Sequence, residues 1–106
     1  AKPVITANFP LDQWPEVGVD LGNTSGVTSL HARWGCYSTH HMEANGWTGP
    51  RKKGEIVSLC RELADMVNRA MEQAGRQTRC MPTDIRIKID DAVGGRELVG
   101  HLQEMG

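Results

Sequence analysis

The sequence predicts a single α+β domain, and three observations lead to that prediction. Residues 17–21 and 29–37 alternate apolar with polar side chains, which is the period of a half-buried β-strand. Residues 50–74 repeat apolar side chains at three- and four-residue spacing, as an amphipathic helix does. Residues 85–89 alternate again. We therefore expect a mostly antiparallel sheet with one long helix packed across one face.

Length and composition narrow the functional classes. The 106 residues predict one core and one domain spanning 1–106. A formal charge of −1 excludes a protein held to nucleic acid or to an anionic membrane by net charge alone. Three unpatterned cysteines favour a reducing compartment, and no apolar run approaches the roughly 20 residues of a membrane span. We expect a soluble cytoplasmic protein without a membrane partner.

The N-terminal half predicts a strand followed by a hairpin. Residues 4–9 are rich in β-branched and aromatic side chains and end at Pro10, which favours an edge strand. The turn residues 22–26 connect the strand at 17–21 to its return strand. Residues 38–47 are polar and rich in histidine, and they predict a loop, with a weak third strand as the alternative. The return strand is expected to place Leu30, Ala32, Trp34 and Cys36 on one face and Ser29, His31, Arg33 and Tyr37 on the other.

The long helix is predicted at residues 50–74. Gly49 is expected to cap it, Pro50 suits its first position, and Gly75 is expected to end it. The spacing predicts a buried face formed by Ile56, Leu59, Cys60, Leu63, Met66, Val67, Ala70, Met71 and Ala74. The strand at 85–89 should present one apolar and one basic face, and a shorter second helix is predicted to begin near Asp91.

Three acidic residues lie where predicted elements end or begin. Asp20 ends a short apolar strand, Glu55 lies near the start of the long helix, and Asp90 ends the later strand. Carboxylates are the ligands that Mg²⁺ and Mn²⁺ prefer. The alternative is structural, because a turn, the positive end of a helix dipole and a helix cap each favour an acidic side chain.

The order of elements over roughly residues 17–100 resembles the first part of the ribonuclease H-like fold. Gly46-Trp47-Thr48 is also similar to the glycine-aromatic-threonine run that precedes that family's helical glutamate. The resemblance implies that Asp20, Glu55 and Asp90 bind two divalent metal ions for phosphodiester cleavage. The family's final strand, catalytic histidine and fourth carboxylate have no counterpart within residues 1–106, and Asp91 and the N-terminal strand are the expected replacements.

The hairpin at residues 20–26 also resembles the phosphate-binding hairpin of the actin-like and chaperone-type ATPases. Those enzymes close a second lobe over the nucleotide. We do not expect 106 residues to supply such a lobe, so the sequence favours the nuclease resemblance over the ATPase one.

Two further groups of residues suggest binding chemistry. Cys36, His40, His41 and Glu43 are all able to bind a metal ion, but a structural zinc site normally has two paired clusters, so a loop with incidental histidines is the expectation. Candidate contacts to phosphate or nucleic acid are Arg51, Lys52, Lys53, Arg86 and Lys88, with Arg33 extending the basic strip and Tyr37 or Trp47 offering a stacking surface. The alternative is a solvated charged face.

Two functions therefore follow from the sequence. The first is a small non-catalytic binding or accessory protein without a cofactor, which docks on a protein partner through its sheet face or forms a homodimer. The second is a nuclease of ribonuclease H-like type, dependent on Mg²⁺ or Mn²⁺, with nucleic acid as its partner.

Overall fold

The computed structural model describes residues 9–22 and 26–89. Strands β1 to β3 form a meander, and one long helix then leads through a short 3₁₀ turn to the last strand. The strands lie in the order β3-β2-β1-β4, where β2 is antiparallel to both neighbours and β4 runs parallel to β1. The α+β prediction is confirmed, with a mixed sheet. The elements are β1 (Glu16–Asp20), β2 (Val27–Trp34), β3 (Tyr37–Asn45), α1 (Gly49–Gln73), the 3₁₀ turn (Pro82–Asp84) and β4 (Arg86–Ile89).

The hydrophobic core lies between α1 and one face of the sheet. Trp34 is its largest fully buried side chain, and the indole Nε1 donates hydrogen bonds to the carbonyl oxygens of Pro10 at 3.1 Å and Gln13 at 3.0 Å. Phe9 stacks on the same indole with ring centroids 4.5 Å apart, so the segment before β1 is fixed to the core. The helix contributes Ile56, Leu59, Cys60, Leu63, Ala64, Val67, Ala70 and Met71, and the sheet contributes Val17, Val19, Leu21, Leu30, Ala32 and Trp34.

The ends of α1 follow known capping rules. The N-cap is Thr48, not Gly49 as predicted, because the Thr48 hydroxyl accepts a hydrogen bond from the Arg51 N–H at 3.3 Å. At the other end Gly75 has φ +71°, and the Arg76 N–H donates to the Met71 carbonyl at 2.9 Å. This Schellman geometry ends the helix where the glycine predicted.

Strand β2 confirms the predicted return strand, with Leu30, Ala32 and Trp34 buried, but its predicted end is wrong, and so are the predicted faces of Cys36 and Tyr37. Strand β2 ends at Trp34, Gly35 and Cys36 form a turn, and Tyr37 begins β3. The turn restarts the alternation, so Tyr37 pairs with Trp34 and Cys36 is exposed. For residues 38–47 the structure has the strand that was the alternative, not the expected loop, and this strand covers the nine residues 37–45. Pairing with β2 organises a polar sequence that has weak strand propensity of its own.

Several predictions fall outside the described residues. They are the strand at 4–9, apart from Phe9, the centre of the 22–26 turn, Asp90, and the helix expected from Asp91.

The turn after β1 depends on Gly22. Gly22 has φ +63°, and a Cβ there would lie 1.8 Å from the Val27 carbonyl oxygen. Its N–H donates to Asp20 Oδ1 at 3.0 Å, and its carbonyl accepts from the Gly26 N–H at 2.7 Å. Any side chain at this position would therefore clash with the returning backbone.

Gly22→Ala is expected to lower the free energy of unfolding by roughly 3 kcal/mol, measured by urea denaturation. Gly46→Ala is the matched control, because Gly46 has φ +77° and, its chain neighbours aside, no atom of the described residues lies within 4 Å of the position that an alanine methyl group would take. The free energy of unfolding of the control should fall by about 1 kcal/mol, because only the positive φ disfavours alanine there. Equal losses in the two variants would show that the turn tolerates a side chain.

Candidate functional site

The first turn of α1 is bound to the carboxyl end of β1. Lys52 Nζ donates a hydrogen bond to the Leu21 carbonyl oxygen at 2.9 Å, and the buried Thr28 hydroxyl donates to the same oxygen at 3.4 Å. Leu21 directly follows Asp20 in the chain, and Glu55 lies one turn after Lys52 on the helix. These bonds therefore hold the helix start, with Glu55, close to the end of the strand that carries Asp20.

Asp20 is exposed at the end of β1. Its neighbours Val19 and Leu21 are buried under the helix, so strand alternation directs the Asp20 side chain to the other face of the sheet. Asp20 Oδ1 accepts the Gly22 N–H at 3.0 Å, which orients the carboxylate. Within residues 9–22 and 26–89, its second oxygen has no hydrogen-bond partner.

Glu55 is partly buried, and its carboxylate is already engaged. Arg51 Nε lies 3.0 Å from Glu55 Oε1, and the Arg51 guanidinium lies 5.4 Å from the centre of the Trp47 ring. Across the described ranges no three His, Cys, Asp or Glu side chains form a group able to hold a metal ion. The third predicted ligand, Asp90, lies outside those ranges and directly follows Ile89 in the sequence.

The predicted phosphate contacts fall into two separate sets. Arg51 and Lys52 make the contacts just described, and Lys53 beside them is partly buried. These three residues lie near the carboxyl end of β1. Arg86 and Lys88 lie on β4 with exposed side chains, on the face of the sheet opposite α1.

We call that face the open face, since no helix of the described residues packs on it. Gly18 lies at its centre, paired with Lys88 on β4 and His31 on β2. Glu16 pairs in the same way with Arg86 and Arg33, and Lys88 Nζ lies 3.3 Å from Glu16 Oε2. The exposed residues of the open face are Gly18, Asp20, His31, Arg33, Ser38, His41, Glu43, Arg86 and Lys88.

The histidines of β3 do not share one site. His40 Nε2 contacts Glu62 of α1 at 3.3 Å, whereas His41 points to the open face, where its ring centroid lies 5.7 Å from that of His31. His41 Nε2 also lies 3.5 Å from Glu43 Oε1. Strand alternation therefore separates His40 from His41 and Glu43, and Cys36 lies in the preceding turn.

A groove of about 390 Å³ opens beside the start of β1 and β4. Trp14, Glu16, Asp84 and Arg86 are among the residues that line it. Trp14 is 37% exposed, which is high for a large aromatic side chain. No local sequence pattern predicts this groove, because it forms only when β4 pairs beside the start of β1.

Two buried thiols lie apart from these groups. Burial raises the pKa of both Cys60 and Cys80 to about 11, so both stay protonated and unreactive near neutral pH. They belong to the core and do not take part in the candidate site.

Comparisons with known proteins identify no relative. No family model matches the chain, and neither a curated protein nor a solved structure is similar to it. In the described part of the chain, no helix has the length and apolar character needed to cross a membrane.

Lys52→Met is expected to lower the free energy of unfolding by about 1 kcal/mol more than Lys53→Met, because of these two lysines Lys52 is the one that donates to the Leu21 carbonyl. Both changes remove one positive charge from the first turn, so the unfavourable interaction with the helix dipole is relieved equally. Urea denaturation of the two variants measures the difference. Identical stabilities would mean that the Lys52 bond does not fix the helix to β1.

Proposed function

We propose that the protein is a phosphodiesterase of ribonuclease H-like type, dependent on Mg²⁺ or Mn²⁺, with its site at the carboxyl ends of β1 and β4. The parallel pairing of these strands is the observation that carries the proposal. The register pairs Val19 with Ile89, and the next residue in each sequence is an aspartate, Asp20 or Asp90. The carboxyl ends of neighbouring parallel strands meet at the same sheet edge, where ligands of mixed and parallel sheets commonly bind.

The element order supports the same proposal. The hairpin, helix and returning strand that carry the family resemblance correspond to β1 with β2, α1 and β4. Lys52 holds the start of α1 against the end of β1, and Glu55 lies one turn further along that helix, on the face of the sheet opposite the Asp20 side chain.

The chemistry of the donors fits hard divalent cations. Asp20 offers one oxygen fixed by the Gly22 N–H and one without a hydrogen-bond partner among the described residues, which suits a cation that keeps several of its waters. Glu55 would have to exchange its Arg51 contact for the metal, and Arg51 would then be released toward a substrate phosphate. When bound, two such ions activate a water and neutralise the leaving oxygen. The protein's part is to hold the carboxylates and keep the helix start in place.

Asp20→Asn is expected to abolish Mn²⁺ binding, measured by calorimetric titration of chelator-treated protein near neutral pH. The fold should be retained, because the Asn amide oxygen still accepts the Gly22 N–H. Asp65→Asn is the control, since Asp65 lies on the exposed face of α1 in a pair with Arg69.

Wild type and Asp65→Asn should bind Mn²⁺ alike and should cleave RNA, DNA or hybrid substrates that Asp20→Asn leaves intact. Full Mn²⁺ affinity in Asp20→Asn would contradict the proposed site, as would no binding by wild type.

The second candidate function is a non-catalytic accessory protein that forms a homodimer through the open face. Its support is the charge distribution, because Arg33 and Arg86 lie beside Glu16 at one end of β1, with Lys88 next to them and paired with Gly18, and Asp20 and Glu43 lie toward the other end. Two copies related by a two-fold axis would place each basic end on an acidic end.

Reversing the charges with Arg86→Glu and Lys88→Glu together is then expected to convert a dimer into a monomer in sedimentation velocity. The control is the double reversal Arg61→Glu and Arg69→Glu on the exposed face of α1. A wild type that is monomeric at all concentrations would contradict the homodimer, and a dimer that survives both reversals would place its interface elsewhere.

A further inference from the structure

We propose that the open face is a track for a single strand of nucleic acid, which runs from the groove at Trp14 across Gly18 to Asp20. Arg33, Arg86 and Lys88 contact the strand's phosphates. The inference rests on the proposed phosphodiesterase function, since it names the substrate class and the path by which a phosphodiester reaches Asp20.

Gly18 is the first observation that supports the track. It lies in the middle of the central strand pair, and the nearest atom to an added Cβ would be the His31 carbonyl oxygen at 3.8 Å, an ordinary contact distance. The fold therefore has room for a side chain at this position, although glycine weakens a strand. A glycine inside a strand often marks the close approach of a ligand, and here no side chain stands between Lys88 and His31 in the paired row, a gap that we call the channel.

The charges beside the channel complement a polyanion. Arg33 and Arg86 flank Glu16 in register, but the Glu16 carboxylate pairs with Lys88, so neither guanidinium has an acidic partner in the described part of the chain. Over the whole open face Glu16, Asp20 and Glu43 balance Arg33, Arg86 and Lys88, so the positive charge is concentrated at the Glu16 end of β1 and the face as a whole carries no excess. Glu16, which is paired with Arg33 and Arg86, lies four residues from Asp20 along β1, a distance of about 13 Å. A few nucleotides span that distance.

The groove favours a single strand over a duplex. The indole of Trp14 is exposed beside Arg86, and an exposed aromatic ring stacks on an unpaired base. Bases within a duplex are already stacked on each other, so a duplex would leave this indole unused. The same argument disfavours an acidic protein, which supplies phosphate-like charge but no bases.

The test is fluorescence anisotropy with a fluorescein-labelled ten-nucleotide oligothymidylate in EDTA, where no cleavage occurs. Gly18→Val is the first variant, and it should weaken binding at least tenfold while raising the urea midpoint, because valine is a better strand former than glycine. A folding defect would lower both the affinity and the urea midpoint. Weaker binding together with a higher midpoint therefore identifies a blocked channel. Binding by Gly18→Val equal to wild type would overturn the track.

The paired change Arg33→Gln with Arg86→Gln should reduce the slope of log affinity against log salt by about 1.4, the value for two lost phosphate contacts on a single strand. Arg61→Gln with Arg69→Gln is the charge-matched control and should leave the slope unchanged. Trp14→Leu should weaken binding about tenfold without changing the slope, because stacking is not ionic. An unchanged slope in the first pair would overturn the phosphate assignment.

Competitors and cleavage assays separate this inference from the proposed function. Equal competition by duplex DNA or by polyglutamate would overturn the single-strand assignment. Oligothymidylate binding in EDTA without any Mn²⁺-dependent cleavage would support the track and refute the phosphodiesterase. Mn²⁺-dependent cleavage that Gly18→Val leaves unchanged would support the phosphodiesterase and refute the track.

Discussion

The parallel hydrogen bonding of β4 to β1 is the constraint on which the rest of the structure depends. Parallel neighbours need a long crossover, and α1 supplies it by crossing one face of the sheet. That crossing creates the core around Trp34 and leaves the opposite face without a helix among the described residues. The same pairing aligns the carboxyl ends of the two strands, so one constraint determines both the core and the candidate site.

The position of Lys52 links stability to the site. Positive charge in the first turn of a helix opposes the helix dipole, and Arg51, Lys52 and Lys53 all add to that cost. Lys52 offsets part of this cost because its Nζ donates to the Leu21 carbonyl. Arg51 offsets part of it because its guanidinium pairs with Glu55 beside the Trp47 ring. Arg51 and Lys52 of the basic run are thus engaged in internal contacts, and the exposed arginines of the open face are the better candidates for phosphate contacts.

Local periodicity was sufficient to predict the elements whose patterns are set within one segment. The apolar spacing of α1, the stop at Gly75 and the alternation of β1 and β4 all fall in this class. The strand character of residues 37–45 was not predictable in the same way, because pairing with β2 organises its polar side chains. The turn at Gly35 also restarts the alternation, which an assumption of continuous periodicity misses.

The candidate site was predictable only where it depends on local sequence patterns. Asp20 follows from a strand that ends in a glycine-bounded turn, and both features are local. The grouping of Arg33 with Arg86 and Lys88 was predicted too, because each lies on the polar side of an alternating strand. The groove at Trp14 requires the register of the strands, which no local pattern specifies. The pairing of Arg51 with Glu55 could have been predicted from the sequence, because residues four apart on a helix are neighbours.

The central claim is that a divalent ion binds where β1 and β4 end. Paramagnetic broadening by substoichiometric Mn²⁺ in a ¹H–¹⁵N spectrum tests it most directly, because the effect depends steeply on distance from the ion. If the ion binds there, the amide signals of Asp20, Leu21 and Ile89 are lost first, while those of Tyr37 and Cys80 persist. Broadening centred on His31 and His41, or spread evenly over the exposed acidic residues, would contradict it.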